Sequence, residues 1–195
     1  MHGGNNPVPG VNASRFVHSG IYSAFLGQSG SLGFLSQTLP TKAGQRYLLS
    51  FWLDNPAIGT PNEFIAAWNG TTLFDGADLG AFAWTNLQFA VSATSASTAL
   101  EFMFRNDQNA FGLDDISVQP LPAPVLGAVT ETHGTISLTW STVPGLAYQV
   151  QFNTDLAQTN WANLGTALTA TNTTAFASDT LGPGPQRFYR IALLP

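Results

Sequence analysis

Two aspartates, Asp114 and Asp115, stand side by side in the stretch Phe111-Gly112-Leu113-Asp114-Asp115-Ile116-Ser117-Val118, which otherwise reads as a closing β-strand. Carboxylates inside an apolar strand are costly unless they are solvated, hydrogen-bonded or bound to a cation. Successive strand residues point to opposite faces. Without a bulge, then, one carboxylate lies against the core edge and the other in solvent. The pair is a candidate calcium ligand, with a solvated strand end as the competing reading.

A second constellation is aromatic and amide: Tyr22, Trp52, Trp68 and Trp84, with Asp54, Asn55, Asn62, Asn69, Asn106, Asp107 and Gln108. Sugars are held by a ring under their apolar C–H face, while amides and carboxylates bond the hydroxyls. Trp52 has polar neighbours in register, Ser50 and Asp54. Trp68 precedes the Asn69-Gly70 turn. For both, ligand platform and core residue stay open. Trp84 opens an alternating strand and reads as core, as does Trp140. The candidate ligand-binding set is Trp52 and Trp68 with Asp54, Asn55, Asn106 and Asp107.

Catalytic patterns are weaker. Gly27-Gln28-Ser29-Gly30-Ser31 lacks the final glycine of a G-x-S-x-G elbow, and no helix pattern follows it. A hydrolase using Ser29 with His18, or carboxylates among Asp54, Glu63, Asp75, Asp78, Glu101 and Asp107, is the alternative to a binding function. His2, His18 and His133 have no metal-ligand spacing. There is no phosphate-binding loop or dinucleotide fingerprint.

The elements that must position these residues are all β. No window carries the helical spacing of apolar residues. Short β-rich runs are bounded by Gly, Pro, Asn or Asp. In the first half they fall at 20–27, 31–39, 45–54, 62–69, 82–92, 98–106 and 111–118. In the second they fall at 125–131, 134–141, 146–153, 161–168, 173–178 and 186–194. Between the halves lies Gln119-Pro120-Leu121-Pro122-Ala123-Pro124, a stiff joint. The expected division is a flexible segment 1–17, a sandwich 18–119, a linker 120–124 and a smaller sandwich 125–195.

Composition excludes other classes. The 195 residues are 44% apolar, with six basic against eleven acidic side chains and a net charge of −5. Scarce Lys and Arg argue against nucleic acid and against an anionic membrane surface. Cysteine is absent, which removes disulfides and thiolate metal sites. No apolar run reaches the roughly 18–20 residues of a membrane span. The first residues lack the basic and apolar regions of a signal peptide. The chain reads as a fragment of a larger protein.

Four stretches of the first half resemble the galactose-binding-like jelly rolls of secreted bacterial proteins, a group that includes carbohydrate-binding modules. They are HSGIYSAFLGQSGSLGFLSQTL, AGQRYLLSFWLDNP, GTPNEFIAAWNGTTLFD and AWTNLQFAVSATSASTALEFMFRNDQNAFGLDDISV. The resemblance covers about residues 18–118. It implies a jelly-roll sandwich and a structural calcium held in part by the terminal aspartate, here Asp114. It also implies an opening strand that residues 1–17 do not show, leaving a sheet edge open to self-association. GTISLTWSTVPGLAYQVQFNTDL, NWANLG and GPGPQRFYRIALLP resemble fibronectin type III-like modules, which implies a spacer.

The sequence thus leads to an all-β chain, a jelly-roll followed by a fibronectin III-like sandwich. The function expected of it is non-catalytic binding of a glycan or polysaccharide outside the cell or at its surface. A structural or adhesive segment of a surface protein is the third reading.

Overall fold

A computed structural model describes residues 10–12, 17–182 and 186–194. The chain divides into two compact units, Met1–Leu121 and Pro122–Pro195. The described residues contain no helix and several antiparallel sheets.

The first unit contains β1 (Gly10–Asn12), β2 (Ser23–Leu26), β3 (Gly33–Pro40), β4 (Arg46–Asn55) and β5 (Asn62–Trp68). It continues with β6 (Thr71–Ala77), β7 (Phe82–Ser92), β8 (Ser97–Asn106) and β9 (Phe111–Pro120). One sheet has the order β1-β2-β9-β4-β7 and the other β3-β8-β5-β6. Leaving β1 aside, consecutive strands from β2 to β9 distribute over two four-stranded sheets as in an eight-stranded jelly roll.

Period-two alternation decides which side chains enter the core. In β4, Leu49, Phe51 and Leu53 are fully buried while Ser50 and Trp52 face outward. Phe64 and Ala66 of β5, Leu100, Phe102 and Phe104 of β8, and Phe111 and Leu113 of β9 complete the core. Phe51 meets Phe102 edge-to-face with centroids 5.1 Å apart, the offset geometry that aromatic quadrupoles favour.

Two strands escaped the sequence reading. β6, with the strand formers Thr71, Thr72 and Phe74, is paired to β5 by the Asn69-Gly70 turn, whose residues have φ of 50° and 77°. Two positive-φ residues make the hairpin turn that matches strand twist. β1 pairs Gly10, Val11 and Asn12 with Phe25, Ala24 and Ser23. The segment expected to carry no strand therefore adds one to the edge of β2. The remainder of 1–16 lies outside the described residues.

Three buried asparagines tie the loops at one end of the sandwich. Asn62 donates from Nδ2 to Gly59 O and Leu79 O, and its Oδ1 accepts Leu79 N–H at 2.9 Å. Asn55 donates to Leu79 O and Gly80 O. Asn106 accepts Asn109 N–H. Each amide supplies the partners that loop backbone groups need once removed from water.

The second unit is a smaller sandwich. Its strands are β10 (Leu126–Thr132), β11 (Thr135–Ser141), β12 (Ala147–Asn153), β13 (Ala162–Asn163), β14 (Leu168–Thr169), β15 (Thr174–Thr180) and β16 (Phe188–Leu193). β10-β11-β15 form one sheet; β13, β14 and β16 pair with β12 in the other. Trp140 and Leu138 are buried as the alternation of β11 predicts; in β12 Tyr148 and Val150 are buried, but so is Gln149 between them, whose amide bonds Val150 O and Leu164 O. The run at 161–168 is two short pairings rather than one strand.

Asn62→Ala should lower stability by roughly 2–3 kcal/mol, because it strands buried backbone groups at Gly59 and Leu79. The check is the urea midpoint followed by tryptophan fluorescence; a change within experimental error would show that the loops hold without this amide.

Candidate functional site

The outward face of the five-stranded sheet gathers the chemistry-bearing residues. Register places Asn86, Trp52 and Asp114 side by side across β7, β4 and β9. Asp54 lies opposite Gly112. Two bulges shape this row. Between the Ser50–Ser117 and Trp52–Asp114 pairs, β9 carries one residue more than β4. Asp115 there takes φ of 48°, the left-handed region that aspartate tolerates better than most residues. Between the Leu53–Thr85 and Asn55–Phe82 pairs, β7 carries the extra residue, opposite Asp54. Bulges redirect side chains at sheet edges and sites.

The first bulge overturns the expectation that Asp114 and Asp115 part company. Both carboxylates engage the His18-Ser19 backbone and side chains. Asp114 Oδ2 accepts His18 N–H at 2.9 Å and Ser19 N–H at 3.1 Å, and its Oδ1 accepts Asp115 N–H at 2.7 Å. Asp115 Oδ2 meets His18 Nδ1 at 2.7 Å, and Oδ1 accepts the Ser19 hydroxyl at 2.6 Å. The hydroxyl and then the imidazole hold the Asp115 carboxyl below its usual range. The clamped strap lays the His18 ring on Trp52, centroids 3.8 Å apart and planes 17° from parallel, with its edge 5.5 Å from Trp84.

This donor set does not fit a calcium ion at Asp114. Calcium takes six to eight oxygen ligands. Asp114 offers two oxygens, and three N–H dipoles already point their positive ends at them. Among the described residues no three His, Asp or Glu side chains gather to hold a metal. Nor do Ser19, His18 and Asp115 make a catalytic triad. The hydroxyl proton goes to the carboxylate, not to the imidazole that would have to remove it. Ser29 precedes Gly30, whose N–H goes to Asp107.

Next to the strap is a shallow cleft of about 440 Å³, lined chiefly by Asp54, Pro56, Phe82 and Trp84. Asp54 is only 7% exposed. Its Oδ1 accepts Gly112 N–H at 2.8 Å, and Oδ2 has no partner among the described residues. Burial raises the Asp54 pKa above the ordinary carboxylate value, with the Gly112 hydrogen bond opposing it. A Cβ at residue 112 would collide with Asp54 Oδ1 and come within 2.7 Å of Trp84 Cη2. Only glycine admits this approach of carboxylate and ring to the strand.

Of the other residues expected in a ligand site, Asn55 borders the cleft with its amide already bonded to loop carbonyls, and the rest do not join it. Trp68 is 4% exposed in the core, its indole N–H bonded to Ser92 O at 2.9 Å, so it presents no face to a ligand. Asn55 and Asn106 are buried in the loop-tying amides, and Asn106 Nδ2 lies 3.4 Å from Asn55 Oδ1. Asp107 pairs with Arg105 through two contacts of 2.7 Å and accepts Gly30 N–H at 2.9 Å. The Arg105 hydrogen bond is the main reason its pKa falls to about 2. Trp52 and Asp54 are on the face. Trp84, read as core, is there too. Its phase was in the sequence: Trp84 alternates with Asn86 and Gln88, while Leu87, Phe89 and Val91 take the buried phase. The role of His18 had no local signal, because its partners are about a hundred residues away.

No protein-family model matches the chain, and no curated protein matches it. Among solved structures it is similar to a β-1,2-glucanase from Parabacteroides distasonis, at 14% identity and a TM-score of 0.36, over 95% of this chain and 32% of that one. It is also similar to a GH2 β-galacturonidase from Eisenbergiella tayi bound to galacturonate, at 9% identity and a TM-score of 0.29, over 84% and 35%. The chain spans about a third of the length of these two. A third is dimeric latent PorU from Porphyromonas gingivalis, at 12% identity and a TM-score of 0.31, over 86% and 18%. No helix among the described residues is long and apolar enough to cross a membrane.

Gly112→Ala should cost about 1–3 kcal/mol through overpacking, visible as a lowered thermal midpoint; an unchanged midpoint would mean that Asp54 and Trp84 can move aside. The strap should open in acid. A carboxyl whose folded pKa is depressed contributes stability that is complete above its unfolded value, 3.8, and lost as pH falls through the folded one. Tryptophan fluorescence should therefore report release of His18 from Trp52 below about pH 4, while far-UV circular dichroism remains that of a β-protein. Asp115→Asn should abolish that transition, and a transition that survives in this variant would assign it to another group.

Proposed function

We propose that the first unit is a non-catalytic carbohydrate-binding module, with the outward face of its five-stranded sheet as the binding face. The observation that carries this reading is the cleft beside Trp84. A half-buried indole, a proline and a phenylalanine flank a carboxylate of which one oxygen has no partner among the described residues. A sugar ring presents matching chemistry, an apolar C–H face and hydroxyl donors. Such binding needs no strongly activated group, and among the described residues of the face no nucleophile is paired with a base.

Trp84 is the open platform in this reading, and Trp52 lies beneath His18. Trp68, Asn106 and Asp107 take no part, since hydrogen bonds within the protein engage them, and Asn55 borders the cleft with its amide bonded to Leu79 O and Gly80 O. The second unit serves as a fibronectin III-like spacer. As a polysaccharide ligand would be met outside the cell, the protein acts there or at the cell surface, as part of a larger bacterial protein. A shallow cleft buries little area and displaces hydroxyl hydration, so affinity is modest.

The test is retention on insoluble polysaccharides and a glycan array. Wild type should be retained on at least one glycan class, and Trp84→Ala should lose at least tenfold in affinity while keeping the wild-type thermal midpoint. Chelator should make no difference, because no calcium is assigned to Asp114. Retention unchanged in Trp84→Ala, or none by folded wild type, would overturn the proposal.

A further inference from the structure

We infer that the cleft selects a sugar bearing a free ammonium group, an amino sugar, over neutral and anionic sugars; this rests on the reading of the cleft as a glycan site. The observation is the state of Asp54. Its side chain is nine-tenths buried, one oxygen is engaged by Gly112 N–H, and the other is without a partner among the described residues where the side chain lines the cleft. A buried carboxylate is normally compensated by a cation or by a full set of donors. Among the described residues Asp54 has a single donor, Gly112 N–H.

Among the described residues the cleft lining supplies no counter-charge. From β4 the cleft receives Asp54 and Asn55, from β7 Phe82, Ala83 and Trp84, and from the adjoining loops Pro56 and Ala81. No lysine or arginine is among them. β9 contributes Gly112 and, farther along, Asp114 and Asp115. The strap brings His18, whose Nδ1 is already committed to Asp115. Burial disfavours the charged form of Asp54, which is what an uncompensated carboxylate should show.

A ligand can supply the missing cation. An ammonium donates to the free oxygen as a charge-assisted hydrogen bond, stronger than one from a neutral hydroxyl. The faces of Trp84 and Phe82 favour a cation beside them. A neutral sugar leaves the carboxylate uncompensated, and a uronate or sulfate ester adds a second negative charge to an acidic face.

The test is calorimetric titration of the full chain at pH 6 with four hexamers: glucosamine, N-acetylglucosamine, glucose and galacturonate. The glucosamine hexamer should bind at least about tenfold tighter than the acetylated and glucose hexamers, and the galacturonate hexamer weakest. Trp84→Ala, which keeps every charge, should lose the glucosamine hexamer. Asp75→Asn, on the other sheet, should not. Asp54→Asn should remove the preference, because the amide oxygen can still accept Gly112 N–H while the charge is gone. If that variant does not fold, carboxyl NMR of wild type decides: the Asp54 signal should shift on adding the glucosamine hexamer and not the glucose hexamer, and the absence of that difference would overturn the inference.

Equal affinity for charged and neutral hexamers, lost in Trp84→Ala, would overturn the amino-sugar preference and leave the glycan site standing. Glucosamine binding that survives Trp84→Ala would be attraction of a polycation to an acidic protein, and would overturn the preference. Failure of folded wild type to bind any hexamer or polysaccharide would overturn both.

Discussion

The hydrogen bond from Gly112 N to Asp54 Oδ1 is the contact around which the outward face of the first unit is arranged. It requires the carboxylate to lie flat on the neighbouring strand, which a side chain at residue 112 would prevent. The same missing side chain lets the Trp84 ring lie across the strand. One oxygen is fixed, and the other has no partner among the described residues. That unbalanced state makes the site chemically distinctive, since most carboxylates on a protein surface are solvated on all sides.

The bulges carry out the rest of the arrangement. A regular β9 would send Asp114 and Asp115 to opposite faces. The left-handed turn at Asp115 brings both to one strap, where they hold His18 against Trp52. One aromatic platform is thereby covered and the other left open. The strap is held by exposed hydrogen bonds to carboxylates, which compete with water.

The fold beneath was largely legible. Period-two alternation places the inward residues of β4 and β8, and the Asn69-Gly70 pair marked a hairpin turn that its positive φ values bear out. β6 escaped the reading although Thr71, Thr72 and Phe74 favour strand and the Asn69-Gly70 turn before it signals a hairpin. The site was legible in part. Trp52 and Asp54 share a phase with Ser50, and Trp84 shares one with Asn86 and Gln88. Trp68 sits at a turn that says nothing of which side its ring takes, and the core takes it. Asn55, Asn106 and Asp107 have the chemistry of sugar ligands, but loop backbone groups and Arg105 use up their hydrogen-bonding capacity.

What the sequence determined by itself follows from local periodicity: strands rather than helices, two sandwiches, and the residues that alternate into each core. These are properties of neighbours along the chain. What only the tertiary structure decided is the state of each polar group. Whether a carboxylate is clamped, paired or left with a free oxygen depends on donors brought from elsewhere in the chain, as His18 and Ser19 are brought to Asp114 and Asp115. Bulges shift that register by single residues, and no local pattern in the sequence announces where they fall.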